Sequence, residues 1–333
     1  MEKSIDLCGI GNSLVDIQVS VDDALIEQLQ LKKGEMKLSD TDEQERILAM
    51  LNDTKTYLSS GGSAANTIIA FSKFGGSSSY LSLLGNDDYG KFYANEFKEL
   101  GIDLKAQHLD NEKTGTCLVL ITPDSERTMC TNLAATGKYS PEHLDMKMIE
   151  NARWLYIEGY KFSAEASTEA VYKAVEYARK HNTKIAVTFS DGFITSLFKE
   201  QLAKVVEHAD LIFCNENEAM SFTGAENIDE AFAQLSASVP NIAVTLGSKG
   251  SRIIWEGKRY DIAPYSATPV DSTGAGDIYA AGFLYGIIKE NSPLFAGHLG
   301  SYAAARIVSQ LGARLKENHA EIVNQIKQEV KTK

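Results

Sequence analysis

The chain has 333 residues, enough for one large α/β domain with an insertion or for two domains. Hydrophobic residues make up 44 % and charged residues 23 % of the sequence, which is typical of an ordinary globular protein and excludes extensive disorder. The formal net charge of −12 argues against nucleic-acid binding, which needs clustered Lys and Arg, but it allows a small anionic ligand held by backbone N–H groups.

The first predicted element is a buried strand, Ile5 to Gly11, and polar side chains follow it. The sequence there reads Gly9-x-Gly11-Asn12-x-x-x-Asp16, in the position of a dinucleotide-binding fingerprint. Leu14 stands where that fingerprint needs its third glycine, which argues against a dehydrogenase. Asp16 is suited to hold a pair of sugar hydroxyls, with an ordinary turn aspartate as the alternative.

Two stretches, 14–44 and 109–135, interrupt the alternation of strands and helices. In the second stretch, Thr116 to Ile121 and Arg127 to Thr131 predict antiparallel strands. We expect both stretches to fold together as a small β-sheet lid that covers a site. Residues 1–13, 45–108 and 136–333 would then form a large α/β nucleotide-binding and catalytic domain.

A glycine pair marks the start of the next predicted helix, which runs to Phe74. The segment Gly61-Gly62-Ser63-Ala64-Ala65-Asn66 ends a polar loop and opens that helix. The glycines permit close approach of a ligand to the backbone, and the Asn66 amide can both donate to and accept from hydroxyls. A simple helix N-cap explains the same residues equally well.

Strand and helix patterns alternate through the rest of the chain. This alternation predicts a mostly parallel sheet flanked by helices on both faces. The predicted strands are Tyr80 to Leu84, Trp154 to Ile157, Lys184 to Phe189, Leu211 to Cys214 and Ile242 to Leu246, and the predicted helices are Tyr89 to Leu100, Ala164 to Lys180, Ser196 to His208 and Ala231 to Ser238.

Polar residues follow two of these strands. Asn215-Glu-Asn-Glu218 places oxygen ligands at a strand end, where they suit Mg²⁺ directly or through water; an acidic helix N-terminus is the alternative. Thr245-Leu-Gly247-Ser-Lys249-Gly250 is compatible with contacts to nucleotide phosphates or with a plain hairpin turn.

The strongest motif is Asp271-Ser-Thr-Gly-Ala-Gly-Asp277, after which the pattern becomes helical. Gly274, Ala275 and Gly276 would lie at a helix N-terminus, where unpaired N–H groups and the helix dipole favour an anion. A carboxylate at Asp277, beside that anion site, could take a proton from an attacking hydroxyl. Both functions are needed for phosphoryl transfer to an alcohol. A glycine-rich turn with a capping aspartate is the alternative.

Several other sites are excluded by the sequence. It contains no P-loop motif, no H-E-x-x-H and no G-x-S-x-G. The cysteines Cys8, Cys117, Cys130 and Cys214 show no CxxC spacing, and we expect reduced, mostly buried thiols. The N-terminus lacks the apolar core of a signal peptide, and no apolar run reaches the roughly 20 residues that span a bilayer. We therefore expect a cytoplasmic protein without a membrane partner.

Together these motifs resemble the ribokinase-like (PfkB) family of carbohydrate and nucleoside kinases over nearly the whole chain. The resemblance is to the adenosine kinase branch in particular. The residues that carry it are Gly11-Asn12-x-x-x-Asp16, Gly61-Gly62 with Asn66, Gly85 and Gly90, Thr114-Gly-Thr-Cys117, Asn132-Leu-Ala-Ala135, Tyr156-Ile-x-Gly159, Cys214-Asn-Glu-x-Glu218 and Asp271 to Leu284.

The resemblance implies a three-layer α/β fold with a β-sheet lid, ATP as donor and Mg²⁺ as helper, and it leaves a role for K⁺ open. It implies Asp277 as base and Gly274, Ala275 and Gly276 as anion hole. The acceptor would be bound by Asn12, Asp16, Gly61, Gly62 and Asn66, with Arg127 near the phosphates, and the nucleotide by Asn215, Thr245, Gly247, Gly274 and Gly276, with Glu218 holding Mg²⁺ through water.

The acceptor and the oligomeric state stay open at this stage. The expected acceptor is the primary hydroxyl of a nucleoside, with a free sugar such as ribose or a ketohexose as the alternative, and a non-catalytic nucleotide-binding protein as the third. An apolar slot around Tyr160 to Phe162, with Met36 and Leu38 from the lid, would favour a flat base, and a polar wall would favour a bare sugar. The sequence is compatible with a monomer or a homodimer.

Overall fold

The computed structural model describes residues 3–51, 54–124 and 126–331. Its strands are β1 (Ile5–Ile10), β2 (Leu14–Ser20), β3 (Met36–Leu38), β4 (Thr56–Gly61), β5 (Ser78–Gly85), β6 (Asp103–Leu109), β7 (Gly115–Ile121), β8 (Arg127–Asn132), β9 (Ala152–Glu158), β10 (Lys184–Thr188), β11 (Leu211–Asn215), β12 (Asn241–Thr245), β13 (Ser251–Trp255) and β14 (Lys258–Ile262).

The helices follow the same chain order. They are α1 (Asp23–Gln28), α2 (Thr41–Met50), α3 (Ser63–Lys73), α4 (Asp88–Glu99), α5 (Ala134–Gly137), α6 (Met146–Asn151), α7 (Glu165–Lys180), α8 (Gly192–Leu197), α9 (Lys199–Val206), α10 (Glu216–Thr223), α11 (Ile228–Ser238), α12 (Ala275–Glu290), α13 (Pro293–Ile307) and α14 (His319–Lys331), with 3₁₀ turns at Pro141–His143, Gly159–Ser163 and Gly247–Lys249.

The larger sheet has the strand order β14-β13-β12-β11-β10-β9-β1-β5-β6. From β12 to β6 all neighbours are parallel, whereas the short hairpins to β13 and β14 make that edge antiparallel. Leu7 on β1 packs in one hydrophobic cluster with α3 and α12, while its neighbours Cys8 and Ile10 pack in another with α7. Because successive side chains of a strand point to opposite faces, helices cover both faces of the sheet, as predicted.

The smaller sheet has the order β3-β8-β7-β2-β4. The predicted stretches 14–44 and 109–135 do supply β2, β3, β7 and β8. The strand β4, however, comes from residues 45–108, which we had assigned to the large domain, so that assignment is wrong for Thr56–Gly61. Its first residues are exposed, among them Tyr57 and Leu58, so the strand has no buried apolar run that a sequence pattern could reveal.

Four short connections join the smaller sheet to the larger one. They are residues 11–13 between β1 and β2, Gly62 between β4 and α3, residues 110–114 between β6 and β7, and Leu133 between β8 and α5. We therefore propose residues 14–61 and 115–132 as the lid, in place of the earlier boundaries.

Most predicted helices agree with the structure to within a few residues, but one does not. Ser196 to His208 is divided between α8 and α9, because Phe198 leaves the helical region with φ −120° and ψ 25°. The four cysteines are buried and free, as expected. In the described residues, no helix is both long and apolar enough to cross a membrane.

Candidate active site

The sequence-predicted residues meet at the carboxyl edge of the parallel strands. Asn12 follows β1, Glu158 ends β9, Asn215 ends β11 and Thr245 ends β12, with Asn215 and Thr245 paired in register. In open α/β sheets, ligands bind outside this edge. The smaller sheet begins there too, because only three residues separate the end of β1 from the start of β2.

Asp277 lies in the first turn of α12 and is held by two side chains from α3. Ser63 Oγ donates to its Oδ1 at 2.6 Å, and Asn66 Nδ2 donates to its Oδ2 at 3.0 Å. Burial raises the pKa of Asp277 to about 6, against the opposing effect of these two hydrogen bonds and of the positive charge of Arg314. At neutral pH the group is therefore mainly a carboxylate, able to accept a proton.

The glycine-rich turn before Asp277 leaves part of an anion cradle open. Gly274 has φ 76° and no room for a Cβ, which would lie 2.9 Å from the Cβ of Ala313. Among the described residues, the N–H groups of Gly276 and Asp277 donate to no backbone carbonyl, since the helical bonds begin at Ile278 N–H to Gly274 C=O. A Cβ at Gly276 would meet open space. These features suit an incoming phosphate.

One predicted donor of this cradle is already occupied. The N–H of Ala275 donates to the carbonyl of Ser272 at 3.2 Å. This bond belongs to the tight turn that sets the direction of α12, so the Ala275 amide does not face an anion in this conformation.

Asp16 and the glycine pair at the end of β4 are interlocked. A Cβ at Gly61 would lie 2.3 Å from Asp16 Oδ1, and one at Gly62, where φ is 98°, would lie 2.0 Å from the backbone oxygen of Asn12. Asp16 lies on β2 and is paired in the sheet, so the turn interpretation is wrong. Burial raises the pKa of Asp16 to about 7; Arg314 and Arg127 lower it and Asp277 raises it. The carboxylates of Asp16 and Asp277 are therefore close enough for their negative charges to repel each other.

Arg127 reaches the edge of this cleft but is engaged by protein groups. Its Nη1 lies 2.9 Å from Asp271 Oδ2, and its Nη2 donates to Gln18 at 3.2 Å. Asp271 also accepts from the N–H groups of Thr273 at 3.0 Å and Gly312 at 2.8 Å, so it organises the turn before α12. The structure therefore brings Arg127 to the motif loop as the partner of Asp271.

The segment after Gly159 does not form a polar wall. Lys161 and Phe162 are each 1 % exposed, and Lys161 Nζ donates to Asn12 Oδ1 at 2.9 Å and to the carbonyl of Thr136 at 3.0 Å. Glu158 is fully buried. Lys161 is therefore buried against Asn12 and Thr136 and presents no accessible polar group.

Comparisons with known proteins cover most of the chain. The model of the pfkB family carbohydrate kinases matches residues 36–320. The chain belongs to this family.

Relatives of the chain include both nucleoside and sugar kinases. An adenosine kinase of Saccharomyces cerevisiae is 28% identical over 330 residues, covering 91% of this chain and 94% of that protein. A solved probable sugar kinase from Rhizobium etli has a TM-score of 0.90 at 28% identity, with 98% and 99% of the two chains covered. An adenosine kinase from Sinorhizobium meliloti has a TM-score of 0.89 at 29% identity, with 96% and 99% covered.

As a pfkB family member, the chain is a phosphotransferase that acts on a hydroxyl group, and the ribokinase-like fold implied by the resemblance is confirmed. Kinases of this family use ATP with a divalent metal ion. The described residues contain no group of three or more His, Cys, Asp or Glu side chains placed to hold such an ion by themselves.

Glu218, the predicted metal residue of this pfkB family chain, forms a reciprocal cap at the start of α10. Its carboxylate accepts from the Asn215 N–H at 3.0 Å and from Asn215 Nδ2 at 2.7 Å, while Asn215 Oδ1 accepts from the Glu218 N–H at 2.9 Å. Burial raises the pKa of Glu218 to about 7, with further effects from the charges of Asp191 and Asp277. A cation close to these carboxylates would relieve their repulsion, so the donor set fits an ion bound through water.

The segment after β12 is a hairpin turn. Thr245 pairs with Ser251 across the β12–β13 hairpin, and Gly247, with φ 57°, opens the 3₁₀ turn between them. Thr245 also lies beside Asn215, which places both next to the carboxyl edge. The hairpin therefore lies next to the carboxyl edge of the parallel strands.

Sequence reasoning missed Arg314, which lies between α13 and α14. Its guanidinium donates to the carbonyl oxygen of Ser60 and, at 2.9 Å, to Ser60 Oγ, so it bridges to β4. The preceding residue, Ala313, packs against Gly274. The segment of Arg314 thus links Gly274, at the turn before α12, to Ser60 near the end of β4. The positive charge of Arg314 lowers the pKa of both Asp16 and Asp277. The small pair Gly312-Ala313 before it was the only sequence signal.

Proposed function

We propose that the protein transfers the γ-phosphate of ATP to the primary hydroxyl of a nucleoside, with the 5′-hydroxyl of adenosine as the first candidate. The observation that carries the proposal is the Asp277 carboxylate, fixed by Ser63 and Asn66 at the open N-terminus of α12. A base and an anion cradle in one helical turn meet the two needs of phosphoryl transfer to an alcohol.

In this mechanism Asp16 and the Asn12 amide hold the sugar hydroxyls of the acceptor, with Gly61, Gly62 and Asn66 shaping the pocket around it. The primary hydroxyl lies against Asp277, which takes its proton as the hydroxyl oxygen forms its bond to the γ-phosphorus of ATP; the bond from that phosphorus to the β-phosphate oxygen breaks, and ADP leaves. The charge that develops on the transferred phosphoryl group is stabilised by the free N–H groups of Gly276 and Asp277 and by the dipole of α12. Closure of the smaller sheet excludes water.

We assign the nucleotide to the edge next to Asn215, Thr245 and Gly247, with its terminal phosphates reaching Gly274 and Gly276. Mg²⁺ is the proposed divalent ion, held through water by Glu218, and when bound it would neutralise phosphate charge. The assay below, run with and without K⁺, tests a monovalent-ion requirement. The four buried, free thiols favour a reducing, cytoplasmic compartment.

A free sugar is the second candidate acceptor, because the Rhizobium etli structure with a TM-score of 0.90 is described as a probable sugar kinase. The polar residue of the Tyr160 to Phe162 segment, Lys161, does not support this second candidate. Its ammonium group is buried under Asn12 and forms no accessible polar wall.

The experiment is ADP release with ATP and Mg²⁺ across a panel of nucleosides and free sugars. We expect the highest kcat/KM with adenosine or another nucleoside. Asp277→Asn is the matched control, and it should lower kcat by a factor of about 10²–10⁴ while retaining acceptor binding. Turnover of free sugars alone would overturn the nucleoside assignment, and acceptor binding by the wild type without any ADP release would overturn the kinase reaction.

A further inference from the structure

A pair of buried charged residues lies beneath Asn12, outside the groups used in the mechanism above. Glu158, at the end of β9, and Lys161, in the 3₁₀ turn that follows, are 0 % and 1 % exposed. Burial disfavours the charged form of both groups, raising the pKa of Glu158 and lowering that of Lys161, while their opposite charges favour each other. Side chains of this kind are costly to bury, so their hydrogen bonds indicate what they do.

Glu158 fixes the backbone of the acceptor site. Its Oε1 accepts from the N–H of Asn12 at 2.7 Å, and its Oε2 accepts from the N–H of Ala64 at 2.7 Å. One carboxylate therefore joins the β1–β2 connection to the first turn of α3. A Cβ at Gly11 would lie 2.7 Å from Glu158 Oε2, so the glycine is needed for this close approach.

Lys161 fixes the side chain of the same residue. The Oδ1 atom of Asn12 accepts from Lys161 Nζ at 2.9 Å and from Thr136 Oγ1 at 3.2 Å. Because an ammonium group only donates, it selects the oxygen of the amide and excludes the nitrogen. The Nδ2 group of Asn12 is thereby directed away from Lys161, and no group among the described residues accepts from it.

The ammonium group is itself held in place. Lys161 Nζ donates a second hydrogen bond to the carbonyl of Thr136 and lies 5.0 Å from the centre of the Tyr139 ring. An apolar residue at position 161 would fill the volume but would leave only the Thr136 hydroxyl beside the Asn12 amide, and a hydroxyl can either donate to the amide oxygen or accept from the amide nitrogen. A lysine therefore adds orientation that packing alone does not supply.

We propose that Lys161 is a positioning residue for the acceptor: it locks the Asn12 amide so that the Nδ2 donor faces the cleft, where it selects a sugar oxygen that can accept a hydrogen bond. The proposal rests on the proposed function in that Asn12 binds the acceptor. It adds that Lys161 determines which end of the Asn12 amide, the oxygen or the nitrogen, faces the acceptor.

The test is a double-mutant cycle with Lys161→Met and Asn12→Ala, measured as KM for the acceptor, KM for ATP and kcat. Loss of one oriented hydrogen bond predicts an acceptor KM about 3- to 10-fold higher for Lys161→Met, with KM for ATP within about twofold of the wild type. In the Asn12→Ala background, Lys161→Met should raise the acceptor KM no further, because the two residues act through one contact.

Removing one member of a buried charge pair can prevent folding. The double variant Glu158→Gln/Lys161→Met carries no unpaired charge, and its acceptor KM should exceed that of Glu158→Gln alone by the same factor. A lower unfolding midpoint with an unchanged acceptor KM would reduce Lys161 to a structural role and overturn the proposal. Independent, multiplying effects of Asn12→Ala and Lys161→Met would overturn it as well. Since wild-type turnover is measured in the same series, failure of the kinase reaction itself is recognised separately.

Discussion

Arg127 and Asp271 form a buried ion pair, with Nη1 2.9 Å from Oδ2, that joins the smaller sheet to the loop before α12. The side chains of both residues are less than one-tenth exposed. The same carboxylate holds the N–H groups of Thr273 and Gly312. The lid strand β8 is thus linked directly to the turn that positions Asp277.

Replacement of Arg127 by Met should destabilise the protein strongly. Asp271 would keep its two backbone partners but lose the only cation that contacts it among the described residues. Breaking a buried pair on one side costs about 3–5 kcal/mol, so we expect a clearly lower midpoint of thermal unfolding. Arg259→Met is the matched control: Arg259 pairs with Asp261 at an exposed position and should change stability by less than about 1 kcal/mol. Equal midpoints for the two variants would contradict the prediction.

The acceptor kcat/KM should fall in acid. Burial raises the pKa of Asp277 to about 6 and that of Asp16 to about 7. As carboxylates, Asp277 can take a proton and Asp16 can accept hydrogen bonds from two hydroxyls, and protonation removes these abilities. Activity should therefore be present above these pKa values and be lost as the pH falls through 7 and then 6. The measurement is kcat/KM at subsaturating acceptor between pH 5 and 9. A profile that stays flat down to pH 5 would show that neither carboxylate titrates in this range.

Arg314 should control the position of that acid limb. Its positive charge lowers the pKa of both carboxylates, so Arg314→Met should raise both pKa values and move the limb to higher pH. At pH 6 we expect a kcat/KM about 2- to 10-fold below the wild type, with a smaller difference at pH 8.5. Arg306→Met, on the neighbouring helix and paired with the exposed Glu317, is the control and should leave the profile in place. A uniform loss across all pH values would instead indicate a contact to the substrate.

Gly62 should tolerate no side chain. Its φ of 98° disfavours L-residues, and a Cβ would lie 2.0 Å from the backbone oxygen of Asn12. Gly62→Ala should therefore cost about 3 kcal/mol or more, through backbone strain and displacement of the β1–β2 connection. The control is Gly192→Ala at the start of α8, where a Cβ meets no atom within 4 Å. Chemical denaturation of both variants decides the point, and a Gly62→Ala protein as stable as the control would refute it.

Gly276, unlike Gly62, should tolerate a small side chain without loss of stability. A Cβ there meets no protein atom within 4 Å, and an alanine is a better helix former, so Gly276→Ala should fold with the same or slightly greater stability. The added methyl group would enter the space proposed for the transferred phosphate, and we expect kcat/KM for ATP to fall about tenfold or more. Wild-type kinetics for this variant would move the phosphate site elsewhere.

Local patterns were enough to predict much of the fold and of the site. Apolar runs gave the buried strands of the larger sheet, and the motif ending in Asp277 combined a turn, a helix start and a carboxylate within seven residues. The strand β4 escaped because its exposed residues show no apolar run. Arg314 escaped for another reason: its function depends on Ser60, which is 254 residues away along the chain.

Lys161 illustrates a third kind of difference. The sequence puts Lys161 in the segment Tyr160 to Phe162, which was expected to face the acceptor, but it could not show on which side of Asn12 the ammonium group lies. That answer depends on Thr136 and Asn12, which come from distant segments. A charged residue beside a binding motif can line the cavity or support it, and only the three-dimensional arrangement separates the two.

The four short connections between the sheets have a mechanical consequence. Linkers of one to five residues leave no slack, so any motion of the smaller sheet is a rotation about a line close to the linkers. Asn12 and Gly62 lie within these linkers, whereas Leu38 and Tyr57, which are 46% and 60% exposed, lie on the edge strands β3 and β4 of the smaller sheet. If the smaller sheet moves as the proposed lid, these linkers would serve as its hinge, and Asn12 and Gly62, the residues proposed to bind the acceptor, would lie at that hinge.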